Sequence, residues 1–193
     1  MEIVLKRGQI ILRNRQIVRS AQLAMLAALS VVLVLILRIP FGFLEYDMAD
    51  VPILLGGMIY GPVAGLTILL VVSVVQAFLL GGNGWVGLVM HFVASGVMVV
   101  IVSLFYRHRK NLKETILGLV LGTLAMTLIM IPMNLVLTVE FLGAPRQVVI
   151  DMLVPLIIPF NLGKAGVNCL LAGLLLKALT PFLNKNRQLL MLD

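Results

Sequence analysis

Residues 21–179 are a succession of apolar runs separated by short polar or glycine-rich joints. Several runs approach the ~20 residues that a helix needs to cross the hydrocarbon core of a bilayer. A soluble chain of 193 residues cannot bury that much apolar surface, and only 12% of these residues are charged, about half the ~25% usual in soluble domains. The expectation is an all-α polytopic membrane protein, built as one bundle with no separate soluble domain.

Six spans can be read along the chain. The first covers residues 21–37 and is ended by Arg38 and Pro40. The second, residues 51–60, is short; Asp50 is expected to cap it, with Pro52 in its first turn and a tight turn at Tyr60-Gly61-Pro62. The third covers residues 63–80 and leads into the glycine-rich loop GGNGW. The fourth covers residues 86–106, followed by the basic loop RHRKNLK. The fifth covers residues 115–139, and the sixth covers residues 152–179 with Pro181 as its stop.

Charge placement supports six crossings with both termini cytoplasmic. On that topology Lys6, Arg7, Arg13, Arg15 and Arg19 share the inner side with Arg107, Arg109, Lys110, Lys113, Lys177, Lys185 and Arg187. The outer side keeps Arg38 and Arg146, beside Glu45, Asp47, Asp50, Glu140 and Asp151. Five crossings would split the basic termini between the two sides. The net charge of +7 therefore points to anionic lipid headgroups rather than nucleic acid. The domain reading is a basic amphipathic cytoplasmic segment at 1–20 (an interfacial helix or a loose arm), a membrane bundle at 21–180 and a cytoplasmic tail at 181–193.

Within the last span, Lys164 lies among apolar residues, where an ammonium costs roughly 2.5–3.5 kcal/mol. It needs a polar cavity or a partner, and a bridge to Asp151 or Glu140 is one way to supply it. Pro155 and Pro159 suggest a helix starting near Pro159, which puts Lys164 in its second turn at a cavity floor. Asn161 and Asn168 fall on the same helix face as Lys164. Asn134, two residues after Pro132, adds an amide from the fifth span. Together they read as the wall of a polar pocket, although an amide alone more often serves as a bond between helices. Ala24 and Ala28 form a small-residue face on the first span, and Gly57, Gly61 and Gly65, with Gly118 and Gly122, repeat every fourth residue. Cys169 reads as a small buried hydrophobe.

No catalytic constellation stands out. The chain lacks a phosphate loop and the HExxH and GxSxG patterns. His91 and Ser95 share a helix face but have no acidic neighbour in sequence, and His91 and His108 fall on opposite sides of the membrane. Neither an enzyme nor a metal site is expected.

The segments YDMADVPILLGGMIYGPVAGL, HFVASG, MNLVL and PFNLGKAGVN resemble the substrate-binding S components of energy-coupling factor (ECF) vitamin transporters, those specific for riboflavin most of all. The resemblance covers residues 21–179. It implies a six-helix bundle with a vitamin pocket near the outer face, and riboflavin or a related flavin as transported ligand with no cofactor. It implies partnership with a shared ECF transmembrane subunit and two ATPases in the plasma membrane. It implies substrate contacts from Asn134, Asn161 and Lys164, with Leu44, Glu45 and the first loop covering the ligand. Ala24 and Ala28 match the motif that docks on the transmembrane subunit. Phe41, Phe43, Tyr46, Trp85, Phe92 and Phe160 are the aromatics available to line a flavin slot. The alternatives are an S component for another vitamin and a non-transporting membrane scaffold in which Lys164 pairs internally.

Overall fold

The computed structural model describes residues 2–41, 44–81, 83–109 and 111–186, with side chains described from residue 15 onward except at 109. Phe43, Lys110 and Arg187, and the side chains of Lys6, Arg7 and Arg13, lie outside the described residues.

The chain begins with one long helix, α1 (Glu2–Ile36), unbroken at residue 20. Pro40 disfavours helix at the residue before it, and the backbone turns instead into a small antiparallel hairpin. Its strands are β1 (Ile39–Phe41) and β2 (Leu44–Tyr46), with Pro40 opposite Glu45. In the sequence this segment reads only as the first loop. The hairpin leads to α2 (Asp50–Tyr60) and α3 (Pro62–Leu79), which meet at Gly61. That joint needs glycine, because its φ is 102°.

Helix α4 (Gly84–Arg109) extends further than the apolar run suggested, and α5 (Leu112–Met133) starts almost at once. Asn111 makes this possible by accepting the Glu114 N–H at 2.8 Å as an N-cap. Beyond Met133 the helix widens into a π turn, Asn134–Thr138. A second π turn, Leu153–Ile157, joins α6 (Arg146–Met152) to α7 (Ile158–Lys185). Pro155 lies inside the second π turn, and Pro159 stands in the first turn of α7, where the sequence leads one to expect a helix start. The π turn absorbs the N–H that Pro155 lacks, and the helical segment runs from Arg146 to Lys185. Pro181 likewise lies inside α7 and does not end it. Near a membrane face, water can serve the carbonyl that a proline leaves unpaired.

Five of these helical segments are long and apolar enough to cross a membrane, and α2 is a shorter apolar helix beside them. Ile53, Leu54, Met58, Ile68, Leu69, Val72, Met98 and Val99 fill the interior. Met25, Leu35, Val63, Leu79, Leu128, Val154 and Leu170 point outward, as lipid-facing residues do. Since lipid removes the usual hydrophobic drive between helices, close backbone approach must hold them together. The glycine repeats provide it. A β-carbon on Gly65 would stand 2.9 Å from the Gly57 Cα, and one on Gly118 would stand 2.6 Å from the Phe105 Cβ.

Candidate functional site

A cavity opens beside the hairpin, between α3, α4, α5 and α7. Its volume is about 160 Å³. Leu44, Glu45, Asn134, Asn161 and Lys164 all line it, so residues spread over 121 positions of sequence meet around one space. Asp47, Ser73, Gln76, His91, Met126, Met130, Thr138 and Phe160 complete most of the wall.

The two amides are positioned by the same local device. Asn134 donates its side-chain Nδ2 to the Met130 carbonyl at 2.8 Å, and Asn161 donates to the Ile157 carbonyl at 2.8 Å. Each bond reaches back four residues; Asn134 opens one π turn, and Asn161 bonds the last residue of the other. Thr138 then donates to Asn134 Oδ1 at 3.2 Å. The Asn161 Oδ1 takes no hydrogen bond from any described residue, which leaves an oriented acceptor at the cavity wall.

Lys164 has a partner, but not the expected one. Its Nζ donates to Asp47 Oδ2 at 2.8 Å and to the Glu45 carbonyl at 3.1 Å. Asp151 instead accepts from Gln147 on its own helix. One turn further along α7, Asn168 donates to the Asp47 carbonyl at 3.1 Å, so it serves packing against the loop and does not line the cavity. Burial pushes the Asp47 carboxyl up. The Lys164 charge, then His91, the Lys164 hydrogen bond and the Ala49 N–H together outweigh burial and hold it down at about 2.

Asp47 also takes over the role expected of Asp50. Its Oδ1 accepts the Ala49 N–H at 2.9 Å and so shapes the turn into α2. Asp50 makes no cap. It is fully buried, and its Oδ1 lies 3.3 Å from His91 Nε2. The other ring nitrogen of His91 meets Ser73 Oγ at 3.1 Å. His91 therefore does have an acidic neighbour, supplied by α2, while its hydroxyl partner comes from α3 and not from Ser95. Contacts between different helices are invisible to spacing along one of them.

The hairpin is held from two sides. Arg38 grips the Glu45 carboxylate with Nε at 2.9 Å and Nη2 at 2.6 Å, and also donates to the Leu80 carbonyl. Leu44 is buried with Val149 and Ile157. Of the candidate aromatics, Phe160 lines the cavity and Phe41 packs on it, with ring centres 5.6 Å apart. Trp85 meets Phe141 edge-to-face instead, and Phe92 packs against the main core. Ala24 and Ala28 are exposed on the outer face of α1, whereas Ala27 and Ser30 face inward. Asp47, Arg38, Gln76 and His91 escaped the sequence reading as cavity residues. For Asp47 a signal did exist, because a buried lysine demands an anion.

Residues 17–176 match the family model described as ECF transporter, substrate-specific component. The chain is 30% identical to "Riboflavin transporter FmnP" of Bacillus subtilis over 177 residues, covering 85% of this chain and 93% of the relative. It is 31% identical to "Riboflavin transporter RibU" of Staphylococcus aureus over 185 residues, covering 90% and 96%. A solved structure, "Structure and mechanism of the S component of a bacterial ECF transporter", superposes with a TM-score of 0.76 at 30% identity. That match covers 87% of this chain and 98% of the other.

Proposed function

The chain belongs to the substrate-specific components of ECF transporters, and from that premise we propose that it captures riboflavin for an ATP-driven importer. It is a multi-pass plasma-membrane protein whose relatives are transport components, not enzymes. The proposal assigns riboflavin, or a closely related flavin, to the cavity. An ECF transmembrane subunit would receive the substrate, and two ATPases would drive the cycle.

The observation that carries this reading is the chemistry of the wall. Met126, Met130, Leu44 and Phe160 offer an apolar slot for a flat ring system. Asn134, Asn161 and Lys164 offer amide and ammonium groups to the carbonyl and imide edge of that ring. Glu45 and the hairpin would cover the ligand from outside. The names of the two relatives above support riboflavin over other vitamins.

The reading extends to the membrane. With α2 as a short second crossing there are six, and both termini are cytoplasmic, as the basic flanks favour. Residues 1–20 and 181–193 then lie at the inner face beside anionic lipids, and residues 21–180 form the substrate-binding bundle. The exposed Ala24 and Ala28 are the docking face for the transmembrane subunit. That both are spared from internal packing supports this assignment.

The test is direct. A native mass spectrum of the detergent-purified chain should show one co-purified flavin, and added riboflavin should lose its fluorescence on binding. A preparation that neither carries nor quenches flavin rejects the proposal. The Lys164–Asp47 pair is also what a purely structural lysine would make. Unchanged flavin affinity in Lys164→Leu would assign the lysine to that role alone.

A further inference from the structure

The structure assigns Asp47 a positioning role at the cavity: it holds the Lys164 ammonium in place and fastens the hairpin to α7, so that pocket wall and outer cover act as one unit. The role rests on the substrate-capture reading above. Asp47 lies between β2 and α2, with its side chain only 6% exposed. Its Oδ2 accepts Lys164 Nζ at 2.8 Å and Gln76 Nε2 at 3.4 Å. Its Oδ1 accepts the Ala49 N–H, and its backbone carbonyl accepts Asn168 Nδ2 at 3.1 Å. Helices α3 and α7 and the start of α2 thus converge on one loop residue.

Lys164 passes this attachment to the hairpin through the Glu45 carbonyl. An ammonium has three donors. Asp47 and Glu45 take two, which leaves one for a ligand and fixes where it points. Without the Asp47 carboxylate the four-carbon stem is free to turn, and both the ligand contact and the hairpin attachment loosen together.

The hairpin's other attachment is weaker. The Arg38–Glu45 pair is 31% and 43% exposed, where solvent and salt screen it. The Lys164–Asp47 pair is 12% and 6% exposed. Breaking a buried pair leaves an uncompensated charge, so the inner link dominates closure. Closure governs escape of a bound ligand more than first encounter with it, so the effect belongs in the release rate.

The test compares the wild type with Asp47→Asn, Lys164→Met and the double variant by hydrogen–deuterium exchange, without ligand. Exchange in residues 39–41 and 44–49 should rise by on the order of tenfold in Asp47→Asn, the size of one charge-assisted hydrogen bond. Exchange in α4 and α5 should stay unchanged, which controls for folding. Lys164→Met should match this rise, and the double variant should add nothing to it. In stopped-flow fluorescence with riboflavin, Asp47→Asn should release about tenfold faster while capture changes less than about twofold. Asp47→Glu keeps the charge, so it should fall between wild type and Asn, and it carries the comparison if Asp47→Asn does not fold. Hairpin exchange equal to wild type in Asp47→Asn overturns the role, as do effects in the double variant that simply add. A wild type that takes up no riboflavin rejects the capture reading instead, and the exchange comparison still decides the role of Asp47.

Discussion

Lys164 and Asp47 are 117 residues apart in sequence and 2.8 Å apart in space. The pair explains how an ammonium sits within a long apolar helix, and it gives stability a definite pH signature. The Asp47 carboxyl lies at about 2 against an ordinary 3.8. A depressed carboxyl contributes stability that is complete above its unfolded value and is lost as pH falls through its folded one. The contribution is roughly 2 kcal/mol, at about 1.4 kcal/mol per unit. Thermal unfolding in detergent should show Asp47→Asn less stable than wild type at pH 5 and above. The margin should shrink only as pH drops below about 4 toward 2. A margin that widens on acidification contradicts the assignment.

Replacing Asn161 by Leu removes an oriented cavity acceptor, and replacing Lys164 by Leu removes the ammonium. Each should weaken riboflavin binding by roughly tenfold to a hundredfold, with the bundle still folded. Fluorescence titration alongside circular dichroism separates the two effects. Asn168→Leu should change affinity much less, because Asn168 contacts the loop and not the cavity.

His91 is the hydrogen-bonding partner of a fully buried carboxylate. His91→Leu strands Asp50, whose Oδ2 already lacks a partner among the described residues. The cost should be about 1–3 kcal/mol, that of a buried acceptor left without its donor. Asp50→Asn, which keeps a neutral acceptor for the ring, should cost clearly less. If Asp50 were merely a helix cap, His91→Leu would shift the unfolding midpoint little.

Two glycines give opposite outcomes for the same substitution. Gly65→Ala forces a methyl group against the Gly57 backbone at 2.9 Å, and should cost about 1–3 kcal/mol. Gly163→Ala, in α7, meets nothing within 4 Å and should be neutral or stabilising by up to about 1 kcal/mol. Unfolding midpoints of the two single variants decide the matter.

Enlarging Ala24 or Ala28 to Trp should leave flavin binding by the isolated chain intact, because both side chains are exposed. Co-purification with an ECF transmembrane subunit, and uptake in reconstituted vesicles, should fall by tenfold or more if this is the docking face. Normal assembly would move the interface elsewhere.

The apolar runs and the charge pattern made the helices legible, because lipid imposes its length requirement on each segment alone. Gly61, Pro40 and the amides Asn134 and Asn161 could be located for the same local reasons. What escaped depended on contacts across the bundle. Asp47 and Asp50 both sit in DMAD, and nothing in that tetrapeptide says which faces Lys164 and which faces His91. The hairpin was missed because its strands are three residues each, too short for alternation to show. The prolines Pro155 and Pro181 misled in the other direction: a proline reads as a stop, but a widened turn or a wet helix end accommodates it.

The two π turns have a consequence for how such a cavity can arise. A π turn holds one more residue than the α turn it replaces, and one residue advances a helix by about 100°. Everything beyond the turn is therefore rotated relative to the rest of the helix. In α5 and in the α6–α7 segment the rotation occurs beside Asn134 and a few residues before Asn161. On α7 every residue that lines the cavity, Phe160, Asn161 and Lys164, lies beyond such a turn. Deleting one residue from the Leu153–Ile157 turn would rotate α6 by about 100° relative to that wall.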